Sequence, residues 1–353
     1  PGGLGLQALS RERKITNDLW QGLVNGFRDE DFQSLGESRN EVLEIGHEHL
    51  KGSVVVKRGP NLEGEYLWLK KLDKGRKPGS VVVLPFAWFR ENRLKENTGP
   101  ELREEYKTAK AMHDLKAVSY QENFMADIFG LERRETLVTR RSGEPTLSEW
   151  LEGVRYVEEI QKEFDTALEN LAIMHANPLL DFPIPTYSAP HNLKRRLFGR
   201  LDDGELSERL LLEYTKFYVG FDFNLEETVH SDFSIHNVLR GGTIFDPQPC
   251  FGEVALDIET LLSFEAVEQI DRERAMKVYK NKREEEEKKE ITISNWIFYA
   301  VHVALCYTGT FYNKGELERA NHFAKRAVDI LGAEGQSEFR DEFLRYLEAS
   351  PFT

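Results

Sequence analysis

The stretch Val229–Asp246, VHSDFSIHNVLRGGTIFD, decides how the rest of the chain is read. It holds two short β-prone runs, Val238-Leu239-Arg240 and Thr243-Ile244-Phe245, separated by Gly241-Gly242. Two glycines between such runs predict a two-residue hairpin turn, because the turns that match strand twist need positive φ. In that register Arg240 faces Thr243, Leu239 faces Ile244, Val238 faces Phe245, and Asn237 faces Asp246. Directly opposed residues carry Cβ atoms about 4.5–5.5 Å apart. An amide oxygen and a carboxylate so placed are able to share one Mg²⁺, whose oxygen ligands sit at about 2.0–2.1 Å. Asp232, in the loop feeding the first run, then reaches the same mouth and is placed to take the proton of an acceptor hydroxyl. His230 braces that loop. Metal ligands Asn237 and Asp246 beside a base are what phosphoryl transfer from a metal-bound nucleotide requires. The competing reading of the same residues is a surface hairpin, with His230 in the core and Asp246-Pro247 starting a turn.

Outward from this segment, the 353 residues suffice for two packed domains or one large bilobal one. Hydrophobic residues make up 40% and charged residues 31%, a globular balance. A net charge of -14 argues against a nucleic-acid partner, since no basic face compensates it, and is compatible with a cationic substrate without showing one. Cys250 and Cys306 lie far apart without metal spacing, so a reducing cytoplasm is the expected location. The longest apolar run, Trp296–Tyr307, is too short to span a bilayer and contains His302, so no membrane anchor is expected there. The opening PGGLGLQALS has no basic stretch followed by an apolar one and does not read as a signal peptide.

The pattern along the chain changes once. An amphipathic helix is predicted over 12–30, then strands over 42–45 and 53–58, and a second β-rich patch over 66–72 and 80–89. A helix follows from Pro100 to Leu115, and a strand at 137–139 runs into Arg141-Ser142-Gly143. Beyond it the periodicity is helical over 147–176, 192–219, 256–280, 284–308 and 315–348. This divides the chain into an N-terminal nucleotide-binding part, 1–138, a hinge, 139–143, and a helical C-terminal part, 144–353. A nucleotide bound by two such parts draws on both.

Lys57 ends an apolar strand, where its stem packs and its ammonium is free to meet phosphate oxygens. Glu105 is the expected partner, with Glu104 as alternate; Lys70 and Lys71 in YLWLKKL compete for the lysine role. The turn Gly36–Asn40, with Ser38 at its centre, is placed to lay backbone N–H groups over phosphates. Asp257, beyond the hairpin, is expected to accept backbone N–H bonds from the catalytic loop, or else to act as an ordinary helix cap.

HSDFSIHN followed by FDPQP resembles the catalytic and metal-binding loops of the aminoglycoside phosphotransferase and choline kinase-like group, within the protein-kinase-like superfamily. NVLRGGTIFDPQPCFGEVALDIETLL is similar to its streptomycin-kinase branch, LVTRRSGEPTLSEWL to the hinge and first C-lobe helix, and ALENLAIMHA to the helix before the catalytic segment. The resemblance implies an α+β, bilobal protein-kinase-like fold, with a small β-rich N-lobe and a larger, mostly helical C-lobe. It implies ATP or GTP with Mg²⁺, and transfer of the γ-phosphate to a hydroxyl of a small molecule. Carried over, Asp232 is the base, Asn237 and Asp246 the metal ligands, and Lys57 with Glu105 the ion pair; Thr139 and Arg141 meet the adenine through backbone groups. Ser231 departs from the family's usual glycine. The acceptor expected on this resemblance is cationic, of the aminoglycoside type. A kinase of another metabolite or of a protein side chain, and a nucleotide-binding module without activity, remain the alternatives.

Overall fold

The computed structural model describes residues 21–22, 24, 32–34, 41–45, 54–59, 62–74, 81–93, 103–105, 107, 132–153, 156–179, 182–197, 204–264 and 270–349. The chain divides into two compact units. One comprises Pro1–Lys70 with Leu84–Arg141, the other Lys71–Val83 with Ser142–Thr353.

The first unit is built on an antiparallel sheet in the order β1-β2-β3-β5-β4. Its strands are β1 (Phe32–Ser34), β2 (Glu41–Ile45), β3 (Val54–Gly59), β4 (Pro85–Arg93) and β5 (Glu132–Arg140). Side chains alternate across a strand, and the sheet uses both faces. Leu43, Val54, Val56, Ala87, Phe89 and Val138 pack on one face with Val24, which lies in a helical stretch. Each such fully buried aliphatic or aromatic side chain contributes about 1.5–3 kcal/mol.

The opposite face of the sheet meets α1 (Leu62–Asp73). The strand expected over Tyr66–Leu72 is therefore a helix. Leu62, Glu65, Tyr66, Leu69 and Leu72 are all buried, which is helical periodicity rather than alternation. The helix also begins on a cap that sequence proximity does not reveal. Glu135 of β5 accepts the N–H groups of Leu62 at 2.7 Å and Glu63 at 3.0 Å through one carboxylate oxygen. A carboxylate at the helix start satisfies orphan donors and complements the helix dipole. Arg90 and Trp88 of β4 hold the same carboxylate in place.

The second unit is helical: α2 (Leu147–Leu151), α3 (Val157–His175), α4 (Ala189–Leu197), α5 (Gly204–Val219), α6 (Val254–Leu262), α7 (Arg272–Glu287), α8 (Trp296–Asn313), α9 (Leu317–Ala333) and α10 (Ser337–Ala349). The long helical stretches read from periodicity are broken at definite points. α7 ends at Lys288 with φ 54°, and α9 and α10 part at Gly335 with φ 67°, a left-handed conformation that suits glycine. A two-stranded ladder, β6 (Glu227–Val229) with β7 (Cys250–Gly252), frames the segment quoted at the outset. No helix among the described residues is long and apolar enough to cross a membrane. Both cysteines are buried, unbridged thiols.

Replacing Glu135 with Ala removes the cap of α1 and one of the two carboxylates that Arg90 meets, the other being Glu63. Urea unfolding is expected to show a loss of about 1–2 kcal/mol, the value of an N-terminal cap; an unchanged midpoint contradicts this account of α1.

Candidate active site

β6 delivers the chain into a loop whose backbone is anchored from below. The N–H groups of His230 and Ser231 donate to the two oxygens of Asp257, at 2.6 Å and 2.8 Å. Asp257 projects from α6 and is fully buried. This is the loop-bracing role expected of it, rather than that of a local cap; the N-cap of α6 is Glu253. Ser231 sits at φ 63°, a left-handed conformation that costs a residue with a Cβ about 1–2 kcal/mol. That explains why glycine suits the position, and the Ser231 hydroxyl offsets part of the cost by donating to the carbonyl of Gln248.

A buried hydrogen-bond chain extends behind Asp257. His175, the last residue of α3, approaches it with Nε2 at 2.9 Å, and its Nδ1 lies 2.7 Å from the Tyr279 hydroxyl. Arg283 donates to that hydroxyl at 2.9 Å. Because Arg283 has only protons to give, the Tyr279 proton turns to His175 Nδ1, and His175 gives its Nε2 proton to Asp257. Burial holds the His175 imidazole below its usual range although Asp257 pulls the other way. The ring is thus a neutral relay of fixed orientation. Sequence reasoning did not single out His175, Tyr279 or Arg283. The available signal was a histidine closing the apolar stripe of ALENLAIMHA.

His230 is itself buried, with Nε2 3.0 Å from the carbonyl of Phe245 and Nδ1 accepting from the N–H of Asp232 at 3.3 Å. It ties the loop to the far strand of the ribbon. Asp232 is held by Asn237, whose side-chain N–H₂ donates to its carbonyl at 2.8 Å and to its carboxylate at 3.3 Å. Burial pushes the Asp232 carboxyl above the usual carboxylate range; Asp246 adds to this, while Arg196 and His230 oppose it. A raised pKa suits a group that receives a proton.

The ribbon itself corrects the expected register. Leu239 N–H donates to Thr243 at 2.8 Å, Val238 bridges Ile244, and Phe245 N–H donates to Asn237 at 3.1 Å. The loop is three residues long, Arg240–Gly242, and Asn237 faces Phe245 rather than Asp246. The cause lies in α3. Glu163 accepts the Gly241 N–H and Asn170 donates to the Gly242 carbonyl. A Cβ on Gly242 would lie 2.9 Å from Thr166, so the turn seats against the helix only as glycine. The flanks are also occupied: Val81 and Val83 pair with Ile244 on one side, Pro145 with Arg240 on the other. Asp246 then leaves the ribbon with φ 52°. Its charge acts on Asp232, so these two carboxylates and the Asn237 amide stay together. The Asn237 nitrogen is engaged by Asp232, which leaves the amide oxygen as the face for a cation. The Asp246 carboxylate and the Asn237 amide oxygen are hard oxygen donors of the kind that would hold Mg²⁺.

In the first unit, Lys57 is buried on the α1 face of the sheet, and its Nζ lies 2.6 Å from Glu65. The partner expected at Glu105 is therefore replaced by Glu65; Glu105 is exposed. The error follows from reading α1 as a strand, which hid the carboxylate one helical turn below Leu69. Lys70 and Lys71 are exposed. Thr139 lies in β5, and the Arg141 side chain pairs with Glu44. Ser38 lies outside the described residues.

No family model and no curated protein matches the sequence. Solved structures do match. An amicoumacin kinase, hAmiN, in complex with AMP-PNP, Ca²⁺ and Ami is 14% identical with a TM-score of 0.57, covering 91% of this chain and 95% of that one. A thermostable mutant of aminoglycoside phosphotransferase APH(4)-Ia, apo form, is 12% identical with a TM-score of 0.52, covering 86% and 94%. A ternary complex of that enzyme with AMP-PNP and hygromycin B gives 0.52 at 12% identity, covering 89% and 98%. The chain has the kinase-like α+β fold of these small-molecule phosphotransferases.

Removing the Asp257 carboxylate (Asp257→Ala) leaves two backbone donors and His175 unmatched. The expected loss is about 3–5 kcal/mol of unfolding free energy, the range for breaking a buried charged hydrogen-bond set. Chemical denaturation with an unshifted midpoint contradicts the bracing role.

Proposed function

We propose that the chain is an ATP-dependent phosphotransferase that moves the γ-phosphate to a hydroxyl of a small molecule. The observation that carries this is the gathering of Asp232, Asn237 and Asp246 on a loop braced by Asp257. The fold shared with phosphotransferases that have been seen with AMP-PNP supports ATP as donor. GTP is the alternative donor.

In this reading Asp232 is the catalytic base. The oxygen of the acceptor hydroxyl forms a bond to the γ-phosphorus as the bond to the β–γ bridging oxygen breaks. ADP leaves with that electron pair, and the hydroxyl proton passes to the Asp232 carboxylate. Asn237 Oδ1 and the Asp246 carboxylate would hold Mg²⁺, whose contribution would be to neutralise charge on the nucleotide phosphates. His230 positions the loop through its bonds to the Asp232 N–H and the Phe245 carbonyl. Lys57, oriented by Glu65, meets nucleotide phosphate oxygens, and Thr139 and Arg141 contact the adenine through backbone groups. Since phosphoryl transfer asks for little covalent chemistry, positioning of this kind supplies most of the rate.

The acceptor is a hydroxylated small molecule. An aminoglycoside-type antibiotic is the candidate that the hygromycin B complex supports. The acidic residues considered as its docking groups offer little: Glu208 and Asp222 are exposed, and Asp202 and Asp203 lie outside the described residues.

Incubation with ATP, Mg²⁺ and a panel of hydroxylated acceptors, following ADP release, tests the reading. Asp232→Asn is expected to lower kcat by about 10²–10⁴, the usual contribution of a positioned base, with nucleotide affinity nearly unchanged. Nucleotide binding without turnover on any acceptor points instead to a binding module.

A further inference from the structure

Beside Asp232 the second unit has a small, partly open recess of about 20 Å³. That is far below the roughly 300–1,000 Å³ of drug-sized sites and holds about one water-sized group, so it takes one polar end of an acceptor whose remainder lies outside. Its walls come from α4 and the segment before it, α6, α8 and the catalytic loop, and include Tyr187, Arg196, Asp232, Thr260, His302 and Tyr307. Among the described residues that line it, Asp232 is the only carboxylate and Arg196 the only permanent cation. His302 adds no charge: burial first, and then Arg196, pushes its imidazole down to about 3, and its nitrogens face the hydroxyls of Tyr187 and Tyr214 at 2.8 Å.

Arg196 is held in place by more than its helix. It sits in the last turn of α4, where the chain passes so close to α8 that a Cβ on Gly309 would fall 2.3 Å from the Arg196 carbonyl oxygen. Asn313 donates to that same carbonyl, and Tyr346 to the carbonyl of Leu197. The guanidinium lies over the Tyr307 ring, 5.9 Å from its centroid. Among the described residues it closes no salt bridge. Asp232 acts on it from beyond salt-bridge contact. An ordinary last-turn arginine complements the helix dipole from the surface, as Lys194 and Arg195 do here, both exposed. Arg196 is instead committed to the cavity.

We propose that Arg196 receives an oxyanion of the acceptor, a carboxylate or phosphate ester, while Asp232 takes the proton of a hydroxyl on the same molecule. This rests on the phosphotransferase reading and narrows it to hydroxylated acids in place of polycationic amino sugars. A guanidinium presents a planar fork of donors that matches a carboxylate or phosphate in pairs. An ammonium brought to the same wall meets a like charge, with Asp232 already engaged by the reacting hydroxyl. The chemical step is unchanged. The acceptor oxygen bonds to the γ-phosphorus, the bridging P–O bond breaks, ADP departs with the electron pair, and the proton goes to Asp232. Arg196 is a specificity-determining residue in this scheme.

The test uses the full chain with ATP and Mg²⁺, following ADP release and transfer of labelled γ-phosphate. D-gluconate and D-glycerate probe the carboxylate, and glucose 6-phosphate and glycerol 3-phosphate the phosphate ester. D-ribose and glycerol are the neutral probes, kanamycin and hygromycin B the cationic ones. The acids are expected to accept phosphate or to inhibit Asp232-dependent ATP hydrolysis. Arg196→Gln is expected to raise their KM or inhibition constant about 10- to 100-fold, as for a lost charge-assisted hydrogen bond, with a change under about threefold for neutral probes and ATP. Arg196→Lys, which keeps the charge and loses the fork, recovers part of that affinity. The proposal is overturned by cationic probes that serve as well as the acids, by acids that neither accept nor inhibit, or by acid affinity unmoved in Arg196→Gln. An equal fall in kcat on every acceptor also overturns it, marking Arg196 as a clamp on the transferred group. Loss of all Asp232-dependent ATP turnover in the unmodified chain is a different result: it removes the phosphotransferase reading itself, and this inference with it.

Discussion

A carboxylate taken wholly out of water has to be met by donors, and Asp257 is met by three. Two are backbone N–H groups of consecutive residues, His230 and Ser231; the third is the imidazole of His175. Consecutive amides converge on one carboxylate only if the chain between them turns sharply, which is why Ser231 is driven to positive φ. From that constraint the rest of the loop follows. With His230 and Ser231 pinned, Asp232 emerges beside Asn237, and the His230 ring reaches across to the Phe245 carbonyl. The strain at Ser231 is stored where the chemistry is proposed to occur, and the buried donors behind it keep it there.

The same logic, a charge fixed by tertiary contacts, recurs in both units. Glu135 crosses from a strand to start α1, and α1 in turn presents Glu65 to Lys57. A buried lysine and glutamate in isolation add little net stability, because desolvation nearly cancels their attraction. Their value is orientation: the ammonium is held at one place on the sheet. Arg196 has a comparable mechanical support in the close approach at Gly309, but among the described residues it closes no salt bridge. In the proposed scheme this arginine is what would select the acceptor by charge.

Much of this was legible in the residues alone, and the misses have a common cause. The order His230, Asp232, Asn237, Asp246, Asp257 pointed to one loop with a brace, and the structure has Asp257 bracing the loop that carries His230 and Asp232. The strands of Glu41–Ile45 and Val54–Gly59 lie where their apolar runs indicated. The hairpin register was wrong by one residue, since Gly241 and Gly242 answer to Glu163 and Asn170 of α3 rather than to each other. Leu62–Asp73 looked like a strand because its aromatic and branched residues have β propensity, while the stripe they bury repeats every three to four positions. As a helix, the same segment brings Glu65 to Lys57, a pairing that a strand over Tyr66–Leu72 does not suggest.

The sequence by itself determined which chemical groups exist and in what order they reach the site. Local patterns of glycine, apolar period and polar spacing are short-range properties, and they survive in a linear reading. Only the tertiary structure decided which of those groups meet. Glu65 with Lys57, His175 with Asp257, and Arg196 in the same wall as Asp232 are contacts between residues on separate elements. Packing selects them by burying each charge where a donor or a cavity awaits it, and a one-dimensional pattern contains no measure of that.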